Sequence, residues 1–482
     1  MSTENSRQAP PGSRELPTEG LRPTPALTLL ASLLGFALIM LDASVVNVAL
    51  PSMGADLGGG MSGLQWVVDA YTIAFAALLL STGALSDRIG ATRAYALGIA
   101  LFTLASAACG LAPGLPALIG FRVVQGVAAA VVLPTTLALV RQAYAEPAQR
   151  GRAVSLWAAG GTTAGALGPV VGGALTTAWD WRAIFFINLP LGLFALALTF
   201  RLPRSPRRPA PLDLPGQLTA VLTLAALAFA VIEEGAVALI ALGVAVAGLA
   251  AFLRIESGQP HPVVPLGLFR NRTAAVAVAA GSALSLAFYG MVFVFSIYFQ
   301  QVRDRSALTA GLMFLPMTGL LVVVNVLSGR LANRHGPRLP MLVGQLISVS
   351  GLLLMLFVGP DTSLVLTAVL LVPLALGAGL ALPPLTAAMM ETVPTERAGV
   401  AAGVLNAARQ VSGGLGVAAF GALVANGFGD GLRASLLISA ALLSLTALAT
   451  TRLPRGGTQA PGPAAVGPTH GGTAPEPSRT RA

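Results

Sequence analysis

Apolar residues run along this chain in unbroken stretches of about 18 to 25, separated by short clusters of Arg, Asp, Glu, Pro and Gly. A helix of that length crosses the ~30 Å hydrocarbon core of a bilayer. The pattern predicts spanning helices near 25–47, 64–84, 94–112, 115–139, 152–177, 183–201 and 214–234, then near 236–254, 273–299, 309–329, 339–358, 363–388, 398–425 and 432–451. A strand reading fails, because barrel strands alternate apolar and polar residues over about ten positions and these runs are continuous. The first run is too long for a cleaved leader, lacks an Ala-x-Ala-like site and is followed by thirteen similar runs. The expectation is an all-α integral membrane protein with fourteen transmembrane helices.

The polar stretches set the organisation. Residues 1–24 and 453–482 are rich in Pro, Gly, Ser, Thr and Arg, which predicts disordered tails. Residues 202–213 read as a cytoplasmic connector, too short to hold a soluble domain. Self-similarity divides the rest: Gly83-Ala-Leu85-Ser-Asp87-Arg88-Ile-Gly90 recurs as Gly329-Arg-Leu331-Ala-Asn333-Arg334-His-Gly336 at an offset of 246. Pro134 is echoed by Pro383 and Arg150 by Arg397 at nearly the same offset. Duplicated bundles that rock about a central site are a common transporter plan. The expected units are six-helix bundles over 25–201 and 273–452, with an inserted helix pair over 214–254.

Composition sharpens the reading. The 482 residues are 55% hydrophobic and 10% charged, with a mean hydropathy of +0.78, against roughly 25% charged in ordinary globular domains. All 29 basic residues are Arg: 23 fall in the tails and alternate loops, four on the other side (Arg182, Arg303, Arg305, Arg433) and two within helices (Arg122, Arg409). That bias predicts a cell-membrane protein with both termini cytoplasmic. The net charge of +10 is scattered over many loops without a nucleic-acid-binding motif, so nucleic acid is not an expected partner. Cys109, the single cysteine, lies in an apolar run and reads as packing. A chain without Lys has no P-loop, and three His and one Cys offer no metal cluster or nucleophile–base pair. Neither an enzyme nor a cofactor is expected, and energy must come from an ion gradient. One charge crossing roughly 100 mV supplies about 2.3 kcal/mol, a concentration ratio of about 50-fold.

Charged residues inside spanning helices are the sharpest functional signal, since each costs about 2.5–3.5 kcal/mol near the bilayer centre. Asp42, Asp69, Arg122 and Arg409 are the candidates, with Gln125 one turn from Arg122 and Asn406 and Gln410 beside Arg409. Asp42 and Arg122 read as a proton-coupling pair, because a carboxyl away from water holds its proton and one beside a guanidinium gives it up. Asp69, near Trp66 and Tyr71, is either interfacial or a contact for a cationic substrate. Glu233 and Glu234 are expected to be solvated. Phe288, Tyr289, Phe293, Phe295 and Tyr298 either line a cavity or face lipid.

Five separated motifs make the chain resemble the major facilitator superfamily, and within it the fourteen-spanner drug:proton antiporters. Leu41-Asp42-Ala-Ser-Val-Val-Asn47-Val-Ala-Leu-Pro51 is similar to the family's first-helix signature, and Gly83 to Arg93 to its loop after helix 2, with Ala91-Thr92 where more basic residues are usual. Arg122-Val-Val-Gln125-Gly126 resembles the proton-associated motif. Gly161, Gly165, Gly168, Pro169, Gly172 and Gly173 resemble the antiporter motif of helix 5, and Trp181-Arg182-x3-Phe186-Ile-Asn188-Leu-Pro190 the start of helix 6. The resemblance implies a major facilitator fold, two six-helix bundles plus two additional helices. It also implies proton-driven export of a small organic compound by a monomer, with substrate contacts among Asp69, Asn47, Gln125, Asn406 and Arg409. Gly83, Asp87, Arg88, Gly90 and Arg93 would form a gating loop in which Asp87 pairs with basic residues or caps the next helix. A proton-coupled importer would share the fold without the Gly-Pro motif. A membrane sensor or scaffold is the third reading.

Overall fold

The computed structural model describes residues 25–207, 213–259, 262, 264–359, 361–393 and 398–453. The predicted disordered tails, the centre of the connector and Arg397 lie outside the described residues. The helices are α1 (Pro25–Leu57), α2 (Gly60–Ile89), α3 (Ala91–Gly110), α4 (Leu115–Ala143), α5 (Pro147–Ala178), α6 (Ala183–Phe186), α7 (Asn188–Thr199), α8 (Leu214–Ile232), α9 (Gly235–Gly258), α10 (Arg272–Ile297), α11 (Ala307–Met313), α12 (Leu315–His335), α13 (Arg338–Leu354), α14 (Leu364–Met390), α15 (Ala398–Ala425) and α16 (Phe428–Thr450).

Among the described residues, twelve helices are long and apolar enough to cross a membrane. The predicted fifth and sixth runs are not among them. α5 is 32 residues long but carries Gly, Ala and Thr in place of larger aliphatics, and α6–α7 forms a shorter apolar stretch over Ala183–Thr199. Most helices outrun the predicted segments, because polar end residues continue the helix past the apolar run. Two predicted runs are each divided. The sixth breaks at Ile187, and the tenth at Phe314, where Pro316 in the following turn lacks a backbone donor. The predicted ninth run closes in a π-helical turn over Tyr298–Val302. Side chains cap several helix starts: Asp213 accepts from Gly216 N at 2.8 Å, and Ser363 from Leu366 N at 3.2 Å.

α1 packs on α5, α2 on α4, α3 on α4 and α7, α10 on α15, and α14 on α12 and α13. α2 also meets α15, which joins the first part of the chain (25–207) to the second (264–453), and α8 lies against both. α9 touches mainly α8, and within it only Ala241, Ala245, Gly248 and Glu256 are buried.

The bundle has two ends. At the end that carries Pro25 and Leu453, Thr92 Oγ1 donates to Pro203 O at 2.7 Å and Gln345 donates to Thr450 Oγ1 at 3.0 Å. At the opposite, distal end, Arg303 donates to Thr362 O at 2.6 Å and Tyr298 Oη to Gly359 O at 2.9 Å. Glu233, expected to be solvated, instead accepts there from Ser62 Oγ at 3.0 Å and Trp66 Nε1 at 3.1 Å, tying α8 to α2. Glu234 is exposed. The repeated Gly-x-Leu-x-x-Arg-x-Gly frame ends in the same turn twice: Gly90 has φ +92° and Gly336 φ +78°, conformations that favour glycine.

Candidate functional site: a buried ion pair between α1 and α4

Asp42 in α1 and Arg122 in α4 are 0% and 1% exposed, and Arg122 Nη1 lies 2.6 Å from Asp42 Oδ2. Arg122 also donates through Nε to Val67 O of α2 at 3.1 Å and through Nη1 to Gln125 Oε1 at 2.9 Å. Its guanidinium sits 4.2 Å from the centre of the Tyr71 ring. The second carboxylate oxygen, Asp42 Oδ1, accepts from Gln125 Nε2 and from Asn188 Nδ2, each at 2.8 Å. Both amides also donate to Ser106 Oγ, at 3.3 and 2.9 Å, and Ser106 donates to Phe185 O at 2.9 Å. Cys109 is buried beside them, with Sγ 3.6 Å from Gln125 Oε1.

Taking two charges out of water costs several kcal/mol per ion, recovered only where both are paired and hydrogen-bonded. Here the geometry meets that condition: Arg122 is paired with Asp42, and both carboxyl oxygens of Asp42 are hydrogen-bonded. Asn188 and Ser106 are the members that sequence reasoning did not assign. Asn188 stood in a quoted motif without a role, and a lone serine in an apolar helix carries no signal.

The structure does not bring Asp69 to this site. Asp69 is 0% exposed and lines a narrow cleft between α2, α8 and α15 with Ile73, Leu224, Leu227, Ala228, Val411, Gly414 and Leu415. Neither of its carboxyl oxygens has a hydrogen-bond partner among the described residues. Leu224, Leu227 and Ala228 of α8 lie against this position.

Arg409 is half-buried on α15, donating to Ser285 Oγ and Asn406 Oδ1, both at 3.3 Å, with no acidic partner among the described residues. Asn47 turns its amide back to Ala43 O at 3.2 Å and leaves Oδ1 buried without a hydrogen-bond partner among the described residues. Phe293, Phe295 and Tyr298 are core residues, while Phe288 and Tyr289 are partly buried against that core.

The predicted gating loop lies at the α2–α3 turn. Asp87, Arg88 and Arg93 are exposed. The cap of α3 is Gly90, with no side-chain hydrogen bond, so the expected capping by Asp87 does not occur. Nor does Asp87 make an ion pair among the described residues.

The antiporter-motif glycines face two neighbours. A side chain at Gly161, Gly168 or Gly172 would strike Phe36, Ser44 or Val45 of α1, and Gly165 faces Met40. At Gly173 it would strike the backbone of Ala307 and Leu308, and Pro169 O lies against Gly311. The seam is thus mostly with α1, and only its distal end reaches the second part of the chain.

Known proteins match throughout. The Major Facilitator Superfamily profile matches residues 32–417. Multidrug resistance protein Stp of Mycobacterium tuberculosis is 38% identical over 413 residues, 83% of this chain and 76% of that protein. Methylenomycin A resistance protein of Streptomyces coelicolor is 36% identical over 85% of this chain and 88% of its own length. Tetracenomycin C resistance and export protein of Streptomyces glaucescens is 33% identical over 89% and 81%. In fold, the chain is similar to a bacterial homolog of the human lysosomal transporter Spinster, solved inward-facing and unoccupied. The TM-score is 0.64 at 17% identity, covering 89% of this chain and 97% of that one. The chain belongs to the Major Facilitator Superfamily and is a multi-pass membrane transporter.

Proposed function

We propose that this transporter is a proton-coupled antiporter exporting a small organic compound, a drug or antibiotic, from the cytoplasm by alternating access. The observation that carries the reading is the Asp42–Arg122 pair, a carboxylate and a guanidinium held together at 2.6 Å where an unpaired charge would be costly. The names of the relatives, resistance and export proteins, support the direction and the substrate class. In this reading α5 and α6–α7 also span, giving fourteen helices. Bundles 25–201 and 273–452 rock against each other, the pair over 214–254 is an addition, and the end carrying Pro25 and Leu453 faces the cytoplasm.

Four side-chain hydrogen bonds join the first part of the chain to the second among the described residues, and all lie toward the distal end: Gln65 to Ala418, Ser296 to Asn47, Gln300 to Val48 and Leu308 to Thr177. A closed distal end together with an Asp42 paired to Arg122 suits a state that awaits substrate from the cytoplasm. Reopening to the outside brings a proton to Asp42, frees Arg122 and resets the cycle. Asn47 Oδ1, Asn406 and Arg409 offer polar contacts to the substrate. Gln125 acts through Asp42, and Asp69 reaches a substrate only if the α2–α8–α15 cleft widens.

In vesicles with an imposed pH gradient, Asp42→Asn should abolish uphill efflux and keep downhill exchange, because the amide preserves shape and cannot titrate. Full uphill efflux by that variant would overturn the assignment.

A further inference from the structure

Pro51 lies within α1. It has no N–H to give to the carbonyl four residues earlier, and its ring pushes that carbonyl outward. The carbonyl is that of Asn47, which is 3% exposed, so without another donor it would be a buried orphan costing about 1–3 kcal/mol. Its donor comes from the other part of the chain: Ser296 Oγ of α10, itself 0% exposed, donates to Asn47 O at 2.8 Å. One turn later Gln300, placed by the π-helical turn, donates through Nε2 to Val48 O at 2.9 Å and to Ser296 Oγ at 3.2 Å.

We propose that Ser296 and Gln300 form the distal gate latch, two uncharged side chains that hold the transporter closed at that end by capturing the carbonyls that α1 presents beside Pro51. The inference rests on the alternating-access reading and is independent of what is carried and of proton coupling. Three features support a latch rather than ordinary packing. The bonds cross between the two parts, so opening the distal end must break them. The acceptor exists because of a proline, so the demand for a partner is built into α1. That helix also carries Asp42, five residues before Asn47 and so about 7.5 Å along the axis, which puts the ion pair and the latch on one rigid segment. The flanking contacts, Gln65 to Ala418 O and Leu308 N to Thr177 Oγ1, are likewise uncharged.

The test measures distal opening directly. Ala307, 6% exposed, lies on α11 with its backbone against Gly173. With Ala307→Cys in the full chain in lipid nanodiscs, the rate of modification by an impermeant maleimide reports the open fraction. The parent chain gives the background from buried Cys109. Ser296→Ala and Gln300→Leu should each raise the rate roughly fivefold, the effect of one neutral hydrogen bond. Pro51→Ala, which returns a helical donor to Asn47 O, should also raise it, and combined with Ser296→Ala should add nothing, because both act on one carbonyl. Ser435→Ala removes a buried bond within α16 and should leave the rate unchanged. Unaltered rates in Ser296→Ala and Gln300→Leu, an additive Pro51→Ala effect, or an equal rise in Ser435→Ala would each overturn the latch. Should Ser296→Ala not fold, Gln300→Leu decides alone, since Gln300 is only part-buried. A fault in the export reading would appear instead in the Asp42→Asn vesicle assay, leaving these rates untouched.

Discussion

Arg122 donates through Nε to Val67 O and through Nη1 to Asp42 and Gln125; a planar guanidinium holds those two nitrogens apart in a fixed fork, whereas the three donors of an ammonium leave from one atom and cannot serve both places. Arg122→Lys should therefore lose proton-coupled efflux by at least roughly tenfold, although charge is conserved. Arg122→Gln leaves a carboxylate buried without its cation, a loss of about 3–5 kcal/mol unless the carboxyl is protonated. Adding Asp42→Asn to Arg122→Gln should restore thermal stability without restoring substrate-induced proton release. Release measured with a pH-sensitive dye in the double variant would remove Asp42 from coupling. Asp42 and Arg122 were legible in the sequence as candidates because a charge in an apolar run is too expensive to be incidental, and Gln125 drew notice only as a neighbour one turn from Arg122. Asn188 and Ser106 were not legible, since neutral polar residues sit cheaply in helices, and only the fold shows Asn188 donating to Asp42 Oδ1 and to Ser106 Oγ. The direction in which Asp69 points was equally hidden, because it depends on α8 covering that face of α2.

Among the elements, α5 carries a glycine pattern that permits close approach, but such a pattern does not name what approaches. The structure assigns Gly168 to Ser44 of α1 in the same part of the chain and Gly173 to the Ala307–Leu308 backbone of the other. Their substitutions should then fail differently. Gly168→Val drives a side chain into a helix that α5 packs along for most of its length, so folded yield and melting temperature should fall. Gly173→Val meets backbone only where the distal end closes, so folding should persist while the maleimide rate at a distal seam cysteine rises. Equal losses of stability in both would mean that the motif is one packing seam. The helix count was legible from apolar length for the twelve strong spans. It was less so for α5, where the same small residues that allow close contact lower hydropathy, and the breaks at Ile187 and Phe314 come from local geometry that a hydropathy pattern does not resolve.

At the scale of the whole molecule, the two ends are built from different chemistry. The distal end joins the two parts of the chain through uncharged hydrogen bonds, while the other end carries Asp87, Arg88, Arg93, Arg330 and Arg334, all exposed and without an ion pair among the described residues. In the proposed alternating-access cycle, rocking closed at that end would bring the repeated turns at Gly90 and Gly336 toward the facing part of the chain, where a carboxylate at Asp87 would meet guanidinium groups. An exposed pair is worth only about 0–1 kcal/mol, so the contact matters by biasing a near-balanced equilibrium between two states rather than by stabilising the fold. Asp87→Ala should consequently leave melting temperature unchanged and substrate affinity within about twofold of wild type while slowing efflux by up to roughly fivefold, the population shift that about 1 kcal/mol allows. Raising the salt concentration should slow the wild type toward the variant and leave the variant unchanged, since screening removes the same attraction. Efflux by Asp87→Ala at the wild-type rate, or an equal salt response in both proteins, would return the turn to a plain charged connector.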